Sequence, residues 1–271
     1  MDRQRVPYSV LMSVYEKENP EYFRQSVESI LNQTLPSDNF VLVCDGPLTP
    51  ALESVLEVYK NALQIVRLPE NHGLGIALNE GLKHCRYELV ARMDSDDISF
   101  PTRCEQEVAA FEETPNLDIL SSTLLEFEDD PEKITGKREL PADSKAICAF
   151  SRKRCPFNHP TVMFRKSAVE SAGGYQGTYR MEDYYLWIRM LQNGAKGKNL
   201  AEPLLYMRTP HDMYLRRGGK AYAKDMLRFH WWLHKTKWSS LADYFTGAVP
   251  HALVCMLPNR VRRIVYKLLH K

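Results

Sequence analysis

Residues 88–97 read Glu88-Leu89-Val90-Ala91-Arg92-Met93-Asp94-Ser95-Asp96-Asp97. An apolar run ends abruptly in three carboxylates within four positions. The run has the length and composition of a buried strand. In open α/β sheets, ligands bind just beyond the carboxyl ends of the strands. Clustered carboxylates repel one another unless a cation or hydrogen-bond donors relieve them. A hard divalent ion shared with substrate phosphates would do so; a solvated acidic turn that caps the next helix is the other reading.

Working outward, the same alternation repeats. Tyr8–Val14 reads as a buried strand, and Asn19 and Pro20 open a helix whose Phe23, Val27, Ile30 and Leu31 share one face. Phe40–Cys44 is a second strand and ends at Asp45-Gly46, with a helix from Thr49-Pro50 to about Lys60. Leu63–Leu68 is a third strand, Gly73–His84 a helix, Glu88–Met93 the fourth strand, and a helix runs from about Pro101 to Glu113. Strands and helices at this spacing predict an α/β fold with a mostly parallel, Rossmann-like sheet flanked by helices. Beyond it the period is less regular. Leu117–Phe127, Thr161–Phe164 and Leu204–Arg208 read as strands, Lys166–Ser171 and Glu182–Gln192 as helices, and Glu128–Ala142 as an acidic, turn-rich connection.

The chain has 271 residues, 44% of them apolar and 26% charged, and a net charge of +2. This excludes a disordered tail, a fibrous repeat and a disulfide-stapled miniprotein. The net value hides an asymmetry. From Arg208 onward there are seven Arg, six Lys and three Asp, a balance of +10, so residues 1–207 carry −8. We therefore divide the chain into an α/β domain, 1–210, and a basic, aromatic-rich helical extension, 211–271. The extension carries Trp231, Trp232, Trp238 and Tyr244 among Arg228, Lys235 and Lys237. Further on, Arg260, Arg262, Arg263 and Lys267 interleave with Val261, Ile264, Val265, Leu268 and Leu269. Such a segment either lies on an anionic membrane surface or packs on the α/β domain. No recognised nucleic-acid motif accompanies the basic residues, so nucleic acid is not an expected partner.

The six cysteines form no C-x-x-C pair, which suits reduced thiols in the cytosol. There is no signal-peptide core at residues 1–7 and no window long and apolar enough to span a bilayer. His230 and His234 are four apart but lack a Glu partner, which favours packing over zinc.

Two more segments can carry chemistry. Glu182-Asp183 opens an amphipathic helix, where a carboxylate is either a cap or a rigidly held general base. Asn71-His72-Gly73-Leu74-Gly75-Ile76-Ala77-Leu78-Asn79-Glu80-Gly81 follows a strand and opens a helix, like a phosphate-binding turn, but matches neither G-x-G-x-x-G nor the P-loop pattern.

Taken in order, these residues resemble family 2 of the inverting, GT-A-fold glycosyltransferases. The elements are Ser13-Val14-Tyr15, Asp45, the Asn71-to-Gly81 segment, Asp94-x-Asp96-Asp97 with Pro101 and Arg103, Asn158-His159-Pro160-Thr161, and Glu182-Asp183 with Leu186-Trp187. They span about residues 6 to 210 and look most like the bacterial enzymes of capsule, exopolysaccharide and O-antigen assembly, the amylovoran type included. Two departures stand out: Glu16, where many relatives have Asn, and Asp45-Gly46-Pro47, where a second acidic residue is common.

The resemblance implies a nucleotide-diphosphate sugar donor, most simply a UDP-sugar. It also implies a saccharide acceptor on polyprenyl diphosphate and a divalent Mn²⁺ or Mg²⁺. On that basis Ser13, Tyr15, Glu16, Asp45, Asn71, Gly73, Asn79, Arg92, Asp94 and Ser95 would form the nucleotide-sugar site. Asp96 and Asp97 would hold the metal, Arg208 the diphosphate, and His159 and Trp187 the acceptor. Asp183 would be the base, and Glu182 would either orient it or bind the acceptor. The enzyme is expected in the cytoplasm, peripheral on the inner face of the membrane. A polyprenyl-phosphate sugar synthase and a non-catalytic sugar-nucleotide-binding protein on the same scaffold are the alternatives.

Overall fold

The computed structural model describes residues 6–209, 218–258 and 262. The central sheet is built from β1 (Tyr8–Val14), β2 (Asn39–Cys44), β3 (Gln64–Arg67) and β4 (Leu89–Met93), all parallel. It continues through β8 (Met163–Arg165), β6 (Ile119–Phe127), β9 (Gly197–Arg208) and β5 (Ile98–Ser99) in the order β3-β2-β1-β4-β8-β6-β9-β5. β8 runs antiparallel to both of its neighbours, β6 and β9 are parallel, and β7 (Ile134–Arg138) pairs antiparallel with β6. The sheet is therefore mixed beyond β4.

The period-2 alternation of side chains explains why the central strands are apolar throughout. Val10 and Met12 of β1, Leu42 of β2, and Ala91 and Met93 of β4 face one core. That core is closed by Phe23, Val27 and Ile30 of α1 (Pro20–Leu31), by Leu52 and Leu56 of α2 (Pro50–Tyr59), and by Val108 and Phe111 of α4 (Arg103–Glu113). Leu11, Val41, Val43 and Val90 face the other, with Ala77, Leu78 and Leu82 of α3 (Leu74–His84) and Leu186, Trp187 and Met190 of α7 (Glu182–Gln192).

Helix starts follow the capping chemistry. Asn19 accepts from the Glu21 and Tyr22 amides, with Pro20 in the first turn. Thr49 does the same for α2, and Asp143 for α5 (Ser144–Phe150), a short helix in a stretch to which the sequence reading assigned no element. β7 was also hidden. It is a short edge strand, Ile134-Thr135-Gly136-Lys137-Arg138, inside the stretch read as a turn-rich connection; it is held by the Arg138–Glu126 ion pair and carries no apolar alternation.

The described part of the C-terminal extension packs on the catalytic body. Phe229 and Leu233 of α8 (Lys220–Lys235) bury against Tyr184 and Ile188 of α7. Trp238 Nε1 donates to Ser151 Oγ at 3.0 Å. Thus Trp232 and Trp238 are packing residues, while Trp231 is exposed. After α8 come α9 (Leu241–Asp243), a π turn (Tyr244–Ala248) and α10 (Val249–Met256). Most of the basic stretch from Arg260 to Leu269 lies outside the described residues. Arg262 is the exception: it is buried and donates to the Cys255 carbonyl, so it does not sit on a solvated basic face. Among the described residues, no helix is long and apolar enough to cross a membrane.

Candidate active site

Parallel pairing of β1 with β2 and β4 delivers three segments side by side at one sheet edge: Ser13 to Glu16, Asp45, and Asp94 to Asp97. Ser13 and Tyr15 are half-buried there and Glu16 is exposed. The Asp45 carboxylate accepts from His72 N (2.8 Å) and Gly73 N (3.0 Å), and its backbone carbonyl accepts from Asn71 Nδ2 (3.2 Å). With only 3% of its surface exposed, Asp45 clamps the 71–73 turn. Gly73 closes that turn at φ +90°, a conformation that disfavours any side chain.

The acidic loop is built on a buried cation. Arg92, 1% exposed, forks onto both oxygens of Asp94. It is the support beneath Asp94, and its burial leaves it no surface to offer a sugar nucleotide. Ser26 Oγ donates to the Asp94 carbonyl at 2.6 Å, and Ser95 Oγ to Glu18 Oε2 at 2.7 Å. Glu18 is thus a fourth carboxylate at the site, and the sequence reading missed it. Asp96 stands half-exposed among these groups. Burial, then Asp94 and Glu18, push its carboxyl up to about 7.

Asp97 points the other way. It is 1% exposed and accepts from Arg208 N at 2.8 Å. Burial and the Asp96 and Asp94 charges push its carboxyl well above the usual range. Asp97 therefore pins β9 to the loop, and only Asp96 of the pair reaches the solvent side. Arg208 also departs from expectation. Its guanidinium lies over the Tyr22 ring (3.7 Å) and the Phe127 ring (4.6 Å), and donates to the Asp96 carbonyl (3.1 Å) and Gln25 Oε1 (3.0 Å). At 5% exposure it fastens the loop and presents no open face to a diphosphate.

Opposite this loop stands the start of α7. The Glu182 carboxylate accepts from the Gly75 amide at the first turn of α3. A Cβ at Gly75 would meet Glu182 Oε2 at 2.5 Å, so glycine is what allows the contact. Burial, and secondarily Asp183, raise the Glu182 carboxyl. Asp183 Oδ2 lies 3.9 Å from Cys155 Sγ.

Tyr175 lies on the segment leading into α7. Its amide donates to Asn79 Oδ1 (2.8 Å) and its carbonyl accepts from Asn79 Nδ2 (2.7 Å), so Asn79 holds a protein backbone, where the sequence suggested a ligand contact. Its hydroxyl sits 3.0 Å from His159 Nε2. Burial raises the Tyr175 hydroxyl; Arg92 opposes this, while Asp183, Asp94 and Glu182 add to it. The two carboxylate groups also meet one turn of chain, since Asp45 takes the Gly73 amide and Glu182 the Gly75 amide. The Gly173-Gly174 pair before Tyr175, at φ +80° and +65°, is the sequence signal that could have marked it. His159 packs on Tyr175 and Trp187, and burial with the Arg92 charge holds its pKa well below the usual value. Trp187 is wholly buried among Phe157, Phe164 and Tyr175, so it backs the wall of the cleft and cannot touch an acceptor.

Among the described residues, no three His, Cys, Asp or Glu side chains converge into a closed metal site. His230 is buried against Tyr184, and His234 Nδ1 lies 3.3 Å from the Ser239 carbonyl, so neither is a ligand here. Asp96 is the carboxylate of the acidic loop that reaches the solvent side, and carboxylate oxygen is the ligand type that a hard divalent ion takes.

The family model described as glycosyl transferase family 2 matches residues 9–173. The chain is 35% identical over 262 residues to the UDP-Gal:alpha-D-GlcNAc-diphosphoundecaprenol beta-1,3-galactosyltransferase of Escherichia coli, covering 96% of this chain and 95% of that one. It is 42% identical over 225 residues to the amylovoran biosynthesis glycosyltransferase AmsE of Erwinia amylovora, covering 82% and 84%. The mannosyltransferase PcManGT from Pyrobaculum calidifontis, solved with GDP-Man and Mn²⁺, superposes with a TM-score of 0.64 at 18% identity, over 98% of this chain and 81% of that one. The fold, the order of the site segments and these likenesses agree: the chain belongs to glycosyl transferase family 2 and is a glycosyltransferase of the GT-A fold.

Proposed function

We propose that this enzyme transfers a sugar from a UDP-sugar, with inversion, to a saccharide carried on a polyprenyl diphosphate in bacterial surface-polysaccharide assembly. The observation that carries the reading is that the start of α3 is held from both sides: Asp45, at the end of β2, takes the Gly73 amide, and Glu182, beside Asp183 at the start of α7, takes the Gly75 amide. The names of the two relatives above support the substrate class, since one acts on a diphosphoundecaprenol acceptor and the other in amylovoran biosynthesis.

In this reading the half-buried Tyr15 and the clamped 71–73 turn receive the nucleotide. Asp96, with Asp94 and Glu18 beside it, would hold Mn²⁺ or Mg²⁺. Such an ion offsets the charge that develops on the departing diphosphate. Asp183 takes the proton of the acceptor hydroxyl as its oxygen attacks the anomeric carbon in line. Glu182, anchored on the Gly75 amide, fixes the start of α7 and so the position of that base. No covalent glycosyl intermediate is required.

The test is a donor screen by UDP release, with a lipid-diphosphate-linked sugar acceptor and EDTA as control. EDTA-sensitive release with one donor, and a product whose anomeric configuration is opposite to the donor's, supports the reading. A sugar-phosphate product indicates a polyprenyl-phosphate sugar synthase instead. UDP binding without transfer indicates a binding protein.

A further inference from the structure

Helix α10 and the turn before it are apolar on the wrong side. Ala248, Ala252 and Cys255 face inward and bury on Ala223 and Met226 of α8. That contact already fills the inner face. On the outer face Leu241, Phe245, Leu253 and Met256 are 47%, 61%, 61% and 56% exposed. Trp231 of α8, 42% exposed, extends this strip through Tyr244, whose ring lies 5.5 Å from Trp231 and 5.5 Å from Phe245. From Tyr244 to Leu257 there is no Asp, Glu, Lys or Arg. Isolated exposed apolar residues are ordinary, but a contiguous strip along an uncharged helix marks an interaction surface.

Its surroundings select the partner. Lys220, Lys224, Arg228, Lys235 and Lys237 of the same C-terminal region are all exposed. From Arg208 onward the balance is +10, against −8 for residues 1–207. We infer that the Leu241–Met256 face, flanked by these cations, is where the enzyme lies on an anionic phospholipid bilayer, with the helix in the interface plane. An apolar strip bordered by lysines is the pattern of an interfacial helix, and the cations complement acidic headgroups. A second copy of this chain is a poorer occupant, because a two-fold contact would oppose two strongly basic regions.

The position also suits the chemistry. Met181, next to Glu182, packs into the same cluster as Ala252 and Cys255. The strip is thus one helix layer from the start of α7 and the base. The inference rests on the lipid-linked acceptor proposed above, and gives that acceptor a place to stand.

The experiment is vesicle co-flotation of the full chain, using phosphatidylcholine with and without phosphatidylglycerol. The unmodified protein should float with the anionic vesicles, and a Phe245→Ser, Leu253→Ser variant should lose about tenfold in partitioning. Lys235→Glu with Lys237→Glu should lose the preference for phosphatidylglycerol. Unchanged melting temperatures, and unchanged UDP release on a water-soluble acceptor, show that the variants are folded and competent. Absence of flotation by the unmodified protein, or equal flotation by all forms, overturns the inference. So does a dimer in sedimentation that the Phe245→Ser, Leu253→Ser variant breaks, with no vesicle binding. Flotation without any glycosyl transfer would instead sink the acceptor reading and leave this one intact.

Discussion

Tyr175 Oη and His159 Nε2 lie 3.0 Å apart, and this contact ties the turn that carries His159 to the segment leading into α7. Replacing Tyr175 by Phe keeps the ring on Trp187 and Asn79's hold on the backbone, but leaves the imidazole without its hydroxyl partner. We expect kcat to fall about tenfold, equivalent to about 1.4 kcal/mol, with the KM for donor little changed. Steady-state kinetics with varied donor and acceptor will check this. An unchanged kcat would reduce the pair to packing.

Asp183→Asn removes the proposed base at constant shape. Transfer should drop by about 10²–10⁴-fold. Calorimetric titration should still give near-normal UDP binding in the presence of Mn²⁺. Glu182→Gln should cost less, because Gln can still accept from the Gly75 amide. Normal turnover by Asp183→Asn would remove that residue from the mechanism.

How much of this was visible in the chain depended on which forces set each part. Buried parallel strands announce themselves, because both faces of β1, β2 and β4 must be apolar. Capped helices do too, as Asn19-Pro20 and Thr49-Pro50 show. The four acidic positions 94, 96, 182 and 183 were legible as candidates because clustered carboxylates repel one another unless something relieves them. Their division of labour was not. Asp97 and Arg208 read like ligands, yet each is consumed by the other's backbone or by aromatic rings, which only the packing of β9 on the loop reveals. Glu18 and Tyr175 act through contacts made across 77 and 16 residues of chain, and no local pattern encodes them.

The two aspartates of the acidic loop should separate by experiment. Asp96→Asn should weaken Mn²⁺-dependent UDP binding, with little change in melting temperature. Asp97→Ala should cost about 1–3 kcal/mol of stability, because the buried Arg208 amide loses its acceptor. Asp97→Asn keeps an acceptor and should melt close to the parent. Equal effects of Asp96→Asn and Asp97→Asn on metal-dependent binding would mean that both carboxylates reach the ion.

Asp45 offers a test of the clamped turn. Its two oxygens accept from two amides, whereas Asn presents one acceptor and turns a donor toward the other amide. Asp45→Asn should loosen residues 71–73, raise the donor KM by about tenfold and leave kcat at saturation largely intact. Proteolysis or amide exchange of the turn, read beside the kinetics, will show whether loop order and donor affinity fall together.

His230 makes a contribution to stability that is lost on the acid side of neutrality, opposite in sign to that of the raised carboxyls Asp96, Asp97 and Glu182. His230 is 3% exposed, packed against Tyr184 and Phe229, and burial with His251 nearby lowers its pKa to about 4. In the unfolded chain the same imidazole titrates near 6.5. Between those values the unfolded state binds the extra proton and the folded state does not. This contribution therefore rises with pH across this window, and it is lost as pH falls from about 6.5 toward 4. The half-buried His159, whose pKa burial and the Arg92 charge also lower, acts with the same sign. His230→Phe removes one of these groups, so its melting temperature should fall less steeply from pH 7 to pH 5 than that of the parent. Parallel pH profiles for the two proteins would mean that His230 takes up its proton in the folded state, and that the packing of α8 on α7 tolerates the charge.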